Sequence, residues 1–220
     1  MRIDTYFTVR EVDTTSLGDA TLVVIDVVRA TTTIIEALAN GARSIFPTDT
    51  AEDAVRLASS LGREDTLLCG ERKGLKVEGF DLGNSPREFT RDVVADKKLV
   101  MSTSNGTRAL GVAPEGSRVL PCSFTNLGAV AAELSGEGHV VVVCAGQDDS
   151  FALDDALCAG HLVLRLVEAR EGEPDLNDAS RAAAALASAR EPTRAFLSQA
   201  AAGAEIIAIG LGDDLAICCD

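Results

Sequence analysis

The sequence predicts an α/β fold: a largely parallel sheet flanked by helices (α/β/α), with an Ala-rich helical C-terminal part. Three observations carry this. Thr21-Leu-Val-Val-Ile-Asp-Val-Val28 is a continuous run rich in β-branched residues, the pattern of a strand covered on both faces. Strand-like and helix-like segments then alternate along the chain. Over residues 178–203 the composition turns Ala-rich and helical.

The elements follow in order. Residues 31–40 have helical character, and Asn40-Gly41 supplies a stop. Residues 44–46 form a second short strand. Residues 50–61 form an amphipathic helix: Thr50 can cap it, with Asp53 three positions on, and Ala54, Leu57, Ala58 and Leu61 share a face. Residues 66–69, 98–101, 118–120 and 139–144 read as further strands, and 126–134 and 153–169 as helices. Glu171-Gly-Glu-Pro174 is the clearest inter-element turn. Pro192 is expected to begin a second C-terminal helix after one ending near Arg190. With no internal repeat or low-complexity linker, a single domain over residues 1–220 is expected.

The chain has 220 residues, 46% hydrophobic and 25% charged. That is ample apolar material to offset chain entropy. Lys and Arg number 20 against 34 Asp and Glu, a net charge of −14. This balance argues against a sequence-blind nucleic-acid or anionic-membrane binder, yet allows a local basic pocket for a small anion. Met1-Arg-Ile-Asp-Thr5 begins no apolar leader, and no apolar run is long enough to span a bilayer. A cytoplasmic protein with no nucleic-acid or membrane partner is expected; a homodimer is compatible with the sequence. The six cysteines form no C-x-x-C pair and sit mostly in apolar segments, so they read as reduced, buried small residues.

The chemically useful residues fall after the strands, where open α/β sheets bind ligands. Asp26-Val-Val-Arg29-Ala-Thr-Thr-Thr33 places a carboxylate, a guanidinium and a helix start together, which suits a metal–phosphate site. The plainer reading of Asp26 is a helix cap. Gly70-Glu71-Arg72-Lys73-Gly74 and Gly79-Phe-Asp81-Leu-Gly-Asn-Ser-Pro86 form a long Gly-rich loop of mixed charge. In Ser104-Asn105-Gly106-Thr107-Arg108, small residues before a helix let backbone N–H groups surround an oxyanion. Asp148, Asp149, Asp154 and Asp155 follow a buried strand and offer oxygen ligands to a hard cation; Asp148 and Asp149 equally suit an exposed acidic turn, and one of Asp154 and Asp155 is the better metal candidate. Offsetting a helix macrodipole is the alternative for that pair. Together these loops indicate metal-dependent chemistry on a small phosphorylated anion.

Several familiar phosphate motifs fail. Asp26 is followed two positions on by Val28, so the D-x-D of aspartyl-phosphate phosphatases is broken. No cysteine has an arginine six positions later, and no G-x-x-x-x-G-K-[ST] loop is present. His139 and His161 are isolated and read as structural or solvated.

The loops resemble those of the 2-phosphosulfolactate phosphatase family. The matching blocks are Asp26–Thr33, Gly70-Glu-Arg72, Gly79–Pro86, Ser104–Arg108 and Asp154-Asp155-Ala-Leu-Cys-Ala-Gly160, in the family's order. Where the family commonly carries Glu-Asp, this chain has Asp154-Asp155. The resemblance implies Mg²⁺-dependent hydrolysis of (2R)-2-phospho-3-sulfolactate to 3-sulfolactate and phosphate, a step toward coenzyme M. On that basis Asp26, Arg29, Glu71 and Arg72 are the expected catalytic residues. Arg29, Arg72, Ser104, Asn105, Gly106, Thr107 and Arg108 are the expected substrate contacts. Asp26, Asp81, Asp154 and Asp155 are the expected metal ligands. A phosphatase for another small 2-phospho acid, such as phospholactate or phosphoglycerate, and a non-catalytic organic-anion binder are the rival readings.

Overall fold

The computed structural model describes residues 1–170 and 172–220. Glu171, the first residue of the expected turn, lies outside the described residues. In chain order the elements begin β1 (Arg2–Tyr6), β2 (Thr21–Ile25), α1 (Ala30–Ala39), β3 (Ser44–Pro47), α2 (Ala51–Leu61), β4 (Thr66–Arg72) and β5 (Leu75–Lys76). There follow α3 (Arg91–Val94), β6 (Lys98–Ser102), α4 (Gly106–Leu110), β7 (Val119–Cys122), α5 (Leu127–Glu133), β8 (His139–Cys144) and α6 (Leu153–Glu168). The chain continues with β9 (Asp175–Leu176), α7 (Asp178–Ala189), α8 (Arg194–Leu197), α9 (Ala201–Ala208) and α10 (Leu215–Cys218).

The architecture is α/β/α, and its parallel strands are divided between two sheets. The first has the order β7-β2-β8-β1-β9 and is parallel throughout. The second has the order β3-β6-β4-β5 and is parallel except for the β4–β5 hairpin. The chain leaves the first sheet after β2, builds the second, and re-enters the first at β7. The exits of β2 and β8 therefore face those of β4 and β6.

The apolar runs of β2 and β8 are continuous because both faces are covered. Val23, Ile25, Val140 and Val142 pack with Val130 of α5 and Leu162 and Leu166 of α6. Leu22, Val141 and Val143 point the other way, onto Leu17 and Ala20. In the second sheet Leu99 and Met101 pack with Ile34 and Ala37 of α1, while Val100 meets Ala54 and Ala58 of α2. Thr50 caps α2, its hydroxyl oxygen accepting from Asp53 N at 3.0 Å.

Three strands escape a hydropathy reading. β1 is Arg-Ile-Asp-Thr-Tyr, too polar to stand out, yet it pairs with both β8 and β9. Its Asp4 is held by His139 Nε2 at 2.8 Å. β5 and β9 are two residues each. Pro192 does not begin a helix: α7 ends at Ala189, and Thr193 caps α8 by accepting from Phe196 N at 3.1 Å. Proline lacks an N–H and so suits the connecting turn before that cap. Among the described residues no helix is long and apolar enough to cross a membrane.

Candidate active site

A cavity of about 100 Å³ lies where the two sheets face each other. This is smaller than the roughly 300 Å³ and above typical of drug-sized ligand pockets, and suits a small anion. Its wall combines Asp26 and Arg29 after β2, Glu71 at the end of β4, Ser104 and Asn105 after β6, and Asp154 and Asp155 on α6.

Asp26 does two things at once. Its Oδ1 accepts from Ala30 N at 3.1 Å, capping α1, while the carboxylate also lines the cavity. The three threonines that follow do not reach for a ligand. Thr31 bonds the carbonyls of Asp26 and Cys122, Thr32 that of Val27, and Thr33 that of Asn84. Their hydroxyls pin α1 to its surroundings.

Glu71 is buried and ties two loops together. Its Oε1 accepts from Ser104 N at 2.7 Å and its Oε2 from Gly74 N at 2.7 Å. The Thr107 N–H is engaged by Thr103 Oγ1 at 3.0 Å, so the Ser104 and Thr107 amides serve internal contacts. Gly106 is required by proximity: a Cβ there would stand 2.4 Å from Ala30 Cβ and 2.6 Å from Asp26 Oδ2. The glycine lets the starts of α1 and α4 meet beside the carboxylate.

The acidic pair on α6 divides its labour. Asp155 Oδ1 accepts from Val27 N at 2.9 Å and Oδ2 from Gly146 N at 3.1 Å, so this side chain joins the exits of β2 and β8. Asp154 is 2% exposed, and its Oδ1 has no hydrogen-bond partner among the described residues. Asn84 Oδ1, also on the cavity wall, is likewise buried and unpartnered. Loss of solvation pushes Asp26 up to about 7 and Asp154 up to about 6, and Asp155 well above the carboxylate range. Neighbouring carboxylates add to the rise at Asp26 and Asp155.

The arginines take other roles than free clamps. Arg29 lines the cavity, but its Nη1 bonds Asp214 Oδ2 at 2.9 Å and its Nη2 bonds Gly74 O at 2.7 Å. Arg72 lies outside the cavity lining, with its guanidinium on Glu71 O, Ser102 O and Ser102 Oγ. Arg108 is at the surface on Asp149 Oδ1 at 2.8 Å. Asp81 also lies away from the cavity, accepting from Leu68 N at 2.8 Å and Arg63 at 3.3 Å.

Two residues of the site were not singled out from the sequence. Asp214, fully buried, pairs with Arg29 and accepts from Ser85 Oγ at 2.7 Å. Its place just before an apolar segment reads as an ordinary cap. Glu205 of α9 lines the cavity and is bonded by Gln147 Nε2 at 2.6 Å. As the lone charge in Ala-Ala-Gly-Ala-Glu-Ile-Ile-Ala it carried a signal. His161 bonds Arg190 O, meets the Phe124 ring edge-to-face and lies outside the cavity lining. Cys122, Cys144 and Cys158 are fully buried, and burial raises the Cys144 and Cys158 thiols well above their ordinary range.

Known proteins resemble this chain over most of its length. The family model described as 2-phosphosulpholactate phosphatase matches residues 6–220. A probable 2-phosphosulfolactate phosphatase of Clostridium perfringens is 38% identical over 222 residues, covering 99% of this chain and 89% of that protein. One of Clostridium acetobutylicum is 38% identical over 100% of this chain and 93% of its own. One of Thermotoga petrophila is 38% identical over 90% of this chain and 83% of its own.

Proposed function

The chain belongs to the 2-phosphosulfolactate phosphatase family of phosphoric monoester hydrolases, and from that premise we propose that it hydrolyses (2R)-2-phospho-3-sulfolactate to 3-sulfolactate and phosphate with Mg²⁺. The observation that carries the reading is Asp154: a buried carboxylate with an unpartnered oxygen, sharing a small cavity with buried Asp26. An unsatisfied buried carboxylate is costly unless a cation completes it. We further propose a cytoplasmic setting and a place on a route to coenzyme M. Six unpaired cysteines are in keeping with a reducing compartment.

The donor set fits a hard cation. Among the described residues no group of three or more His, Cys, Asp or Glu forms a ready metal cluster. Mg²⁺ does not require one, since it is usually held by one or two carboxylates with water and substrate phosphate. Asp26 and Asp154 would hold it, with Asn84 Oδ1 as a neutral oxygen. Bound there, it would polarise the phosphoryl oxygens and offset charge on the leaving alkoxide.

The chain's own residues do the rest by position. Glu71 holds the Ser104 loop and the Gly74 turn at a fixed separation, which shapes the entrance. Asp155 keeps the exits of β2 and β8 together, so Asp26 and Asp154 face one space. Arg29, its charge offset by Asp214, is a fixed part of the wall and ties it to the Gly74 turn. Such preorganisation avoids reorganisation during reaction.

The test is phosphate release by the purified protein from 2-phosphosulfolactate and from 2-phospholactate. Release that requires Mg²⁺, stops with EDTA and favours the sulfonate substrate by kcat/KM supports the reading. Preference for 2-phospholactate would move the substrate to another 2-phospho acid. Tight binding with no release at any Mg²⁺ concentration would make the protein an organic-anion binder.

A further inference from the structure

We infer that Lys73 is the specificity residue of this site, the cation that receives the substrate's non-phosphate anionic group; the inference rests on the proposed phosphatase reading. The cavity wall carries two cations, Arg29 and Lys73. Arg29 is neutralised by Asp214 in a fully buried pair. Arg72 and Arg108 are engaged elsewhere, on carbonyls and on Asp149. Among the described residues Lys73 makes no ion pair and no hydrogen bond. The rest of the wall is rich in carboxylates, Asp26, Glu71, Asp148, Asp154, Asp155 and Glu205 among them. A divalent cation answers the phosphate, but a carboxylate or sulfonate on the same molecule would meet this acidic wall unaided. Lys73 is the available charge to receive it.

The backbone gives a second, independent argument. Lys73 and Gly74 form the two-residue turn of the β4–β5 hairpin, with Arg72 opposite Leu75, and both have positive φ, 52° and 75°. Such turns favour Asn-Gly or Asp-Gly, and a lysine there is held in a strained conformation. The turn is fixed by buried groups: Glu71 Oε2 accepts from Gly74 N, and Arg29 Nη2 donates to Gly74 O at 2.7 Å. The two residues that anchor the turn are themselves on the cavity wall. The lysine is therefore carried at a set place on the rim, and local backbone preference does not account for its side chain.

The test compares the wild type with K73N, which removes the charge but suits the turn, and K73R, which keeps the charge. Each is assayed with Mg²⁺ on 2-phosphosulfolactate, 2-phospholactate and glycerol 2-phosphate, the last having no second anion. Binding of 3-sulfolactate is measured by calorimetry. In K73N the kcat/KM ratio of 2-phosphosulfolactate to glycerol 2-phosphate should fall at least tenfold, mainly through KM. The affinity for 3-sulfolactate should fall similarly, with K73R restoring most of both. If the 2-phospholactate ratio falls equally, the carboxylate is the partner; if it holds, the sulfonate is. A ratio within twofold of wild type, or an equal loss on all three esters, overturns the inference. A wild type that hydrolyses none of the esters, yet binds 3-sulfolactate more tightly than K73N does, defeats the phosphatase reading alone. Equal binding by the two would defeat both.

Discussion

Asp26 shows how one side chain answers two demands, and the demands can be separated. As a cap it needs only an acceptor; as a ligand it needs a charge. D26N keeps an oxygen near Ala30 N and removes the charge, so kcat/KM should drop by at least ~10²-fold while the fold persists. Near-normal turnover at saturating Mg²⁺ would remove Asp26 from the site. The same substitution reads out protonation. Burial raises the Asp26 carboxyl to about 7 from its ordinary 3.8, so the metal-free folded state binds more protons than the unfolded state between these values. Stability must then fall as pH rises through that window. Urea midpoints of the metal-free protein at pH 5 and pH 8 should therefore differ more for the wild type than for D26N. Equal pH responses in the two would show that Asp26 is not the group responsible. Arg108 makes the contrasting case. The sequence places it beside an anion loop, but its pairing with Asp149 is half-exposed and screened by solvent, so it contributes little. R108K should change KM by less than about twofold; a tenfold rise would return Arg108 to the substrate.

Elements were legible where local chemistry and tertiary packing agree. β2, β8, α2 and α6 are long, periodic or uniformly apolar, and they stand within a few residues of where the pattern puts them. β1 was hidden because its place between two strands depends on long-range pairing, which five polar-apolar residues do not announce. The same limit applies to side-chain roles. Spacing showed that Asp154 and Asp155 share a helix start, but not that Val27 N and Gly146 N would occupy both oxygens of Asp155 and leave an oxygen of Asp154 bare. The Ala-rich C-terminal part, read only as helical, turns out to govern a close helix contact. Gly160 of α6 sits against α7, where a Cβ would stand 2.0 Å from Ala183 O and 2.9 Å from Ala187 Cβ. Backbone cannot yield as a flexible side chain can, so the helices must separate. G160A should cost ~1–3 kcal/mol despite alanine's better helix propensity. A thermal midpoint at or above wild type would show that α6 and α7 are loosely joined.

At the scale of the molecule, the site exists only because two sheets face each other. Asp26 and Asp155 report to the first sheet, through β2 and β8, and Glu71 and Ser104 to the second, through β4 and β6. Few of these contacts are apolar: the carboxylates that would meet a cation are also those that line the junction. In the metal-free protein their proximity opposes closure, because burial and like charge both disfavour ionisation. A divalent cation with a bound anion reverses that sign, and anything that binds only the folded junction stabilises it by mass action. Binding of Mg²⁺ with phosphate should thus slow amide hydrogen exchange on both sides together, at residues 26–31 and 146–155 of one sheet and 71–74 and 104–107 of the other. D154N should lose the effect at all four segments, since a ligand held by one sheet alone has no reason to quiet the other. Protection confined to 104–107, or surviving intact in D154N, would mean that the anion binds a local loop and that the two sheets are held together by packing with no help from the site.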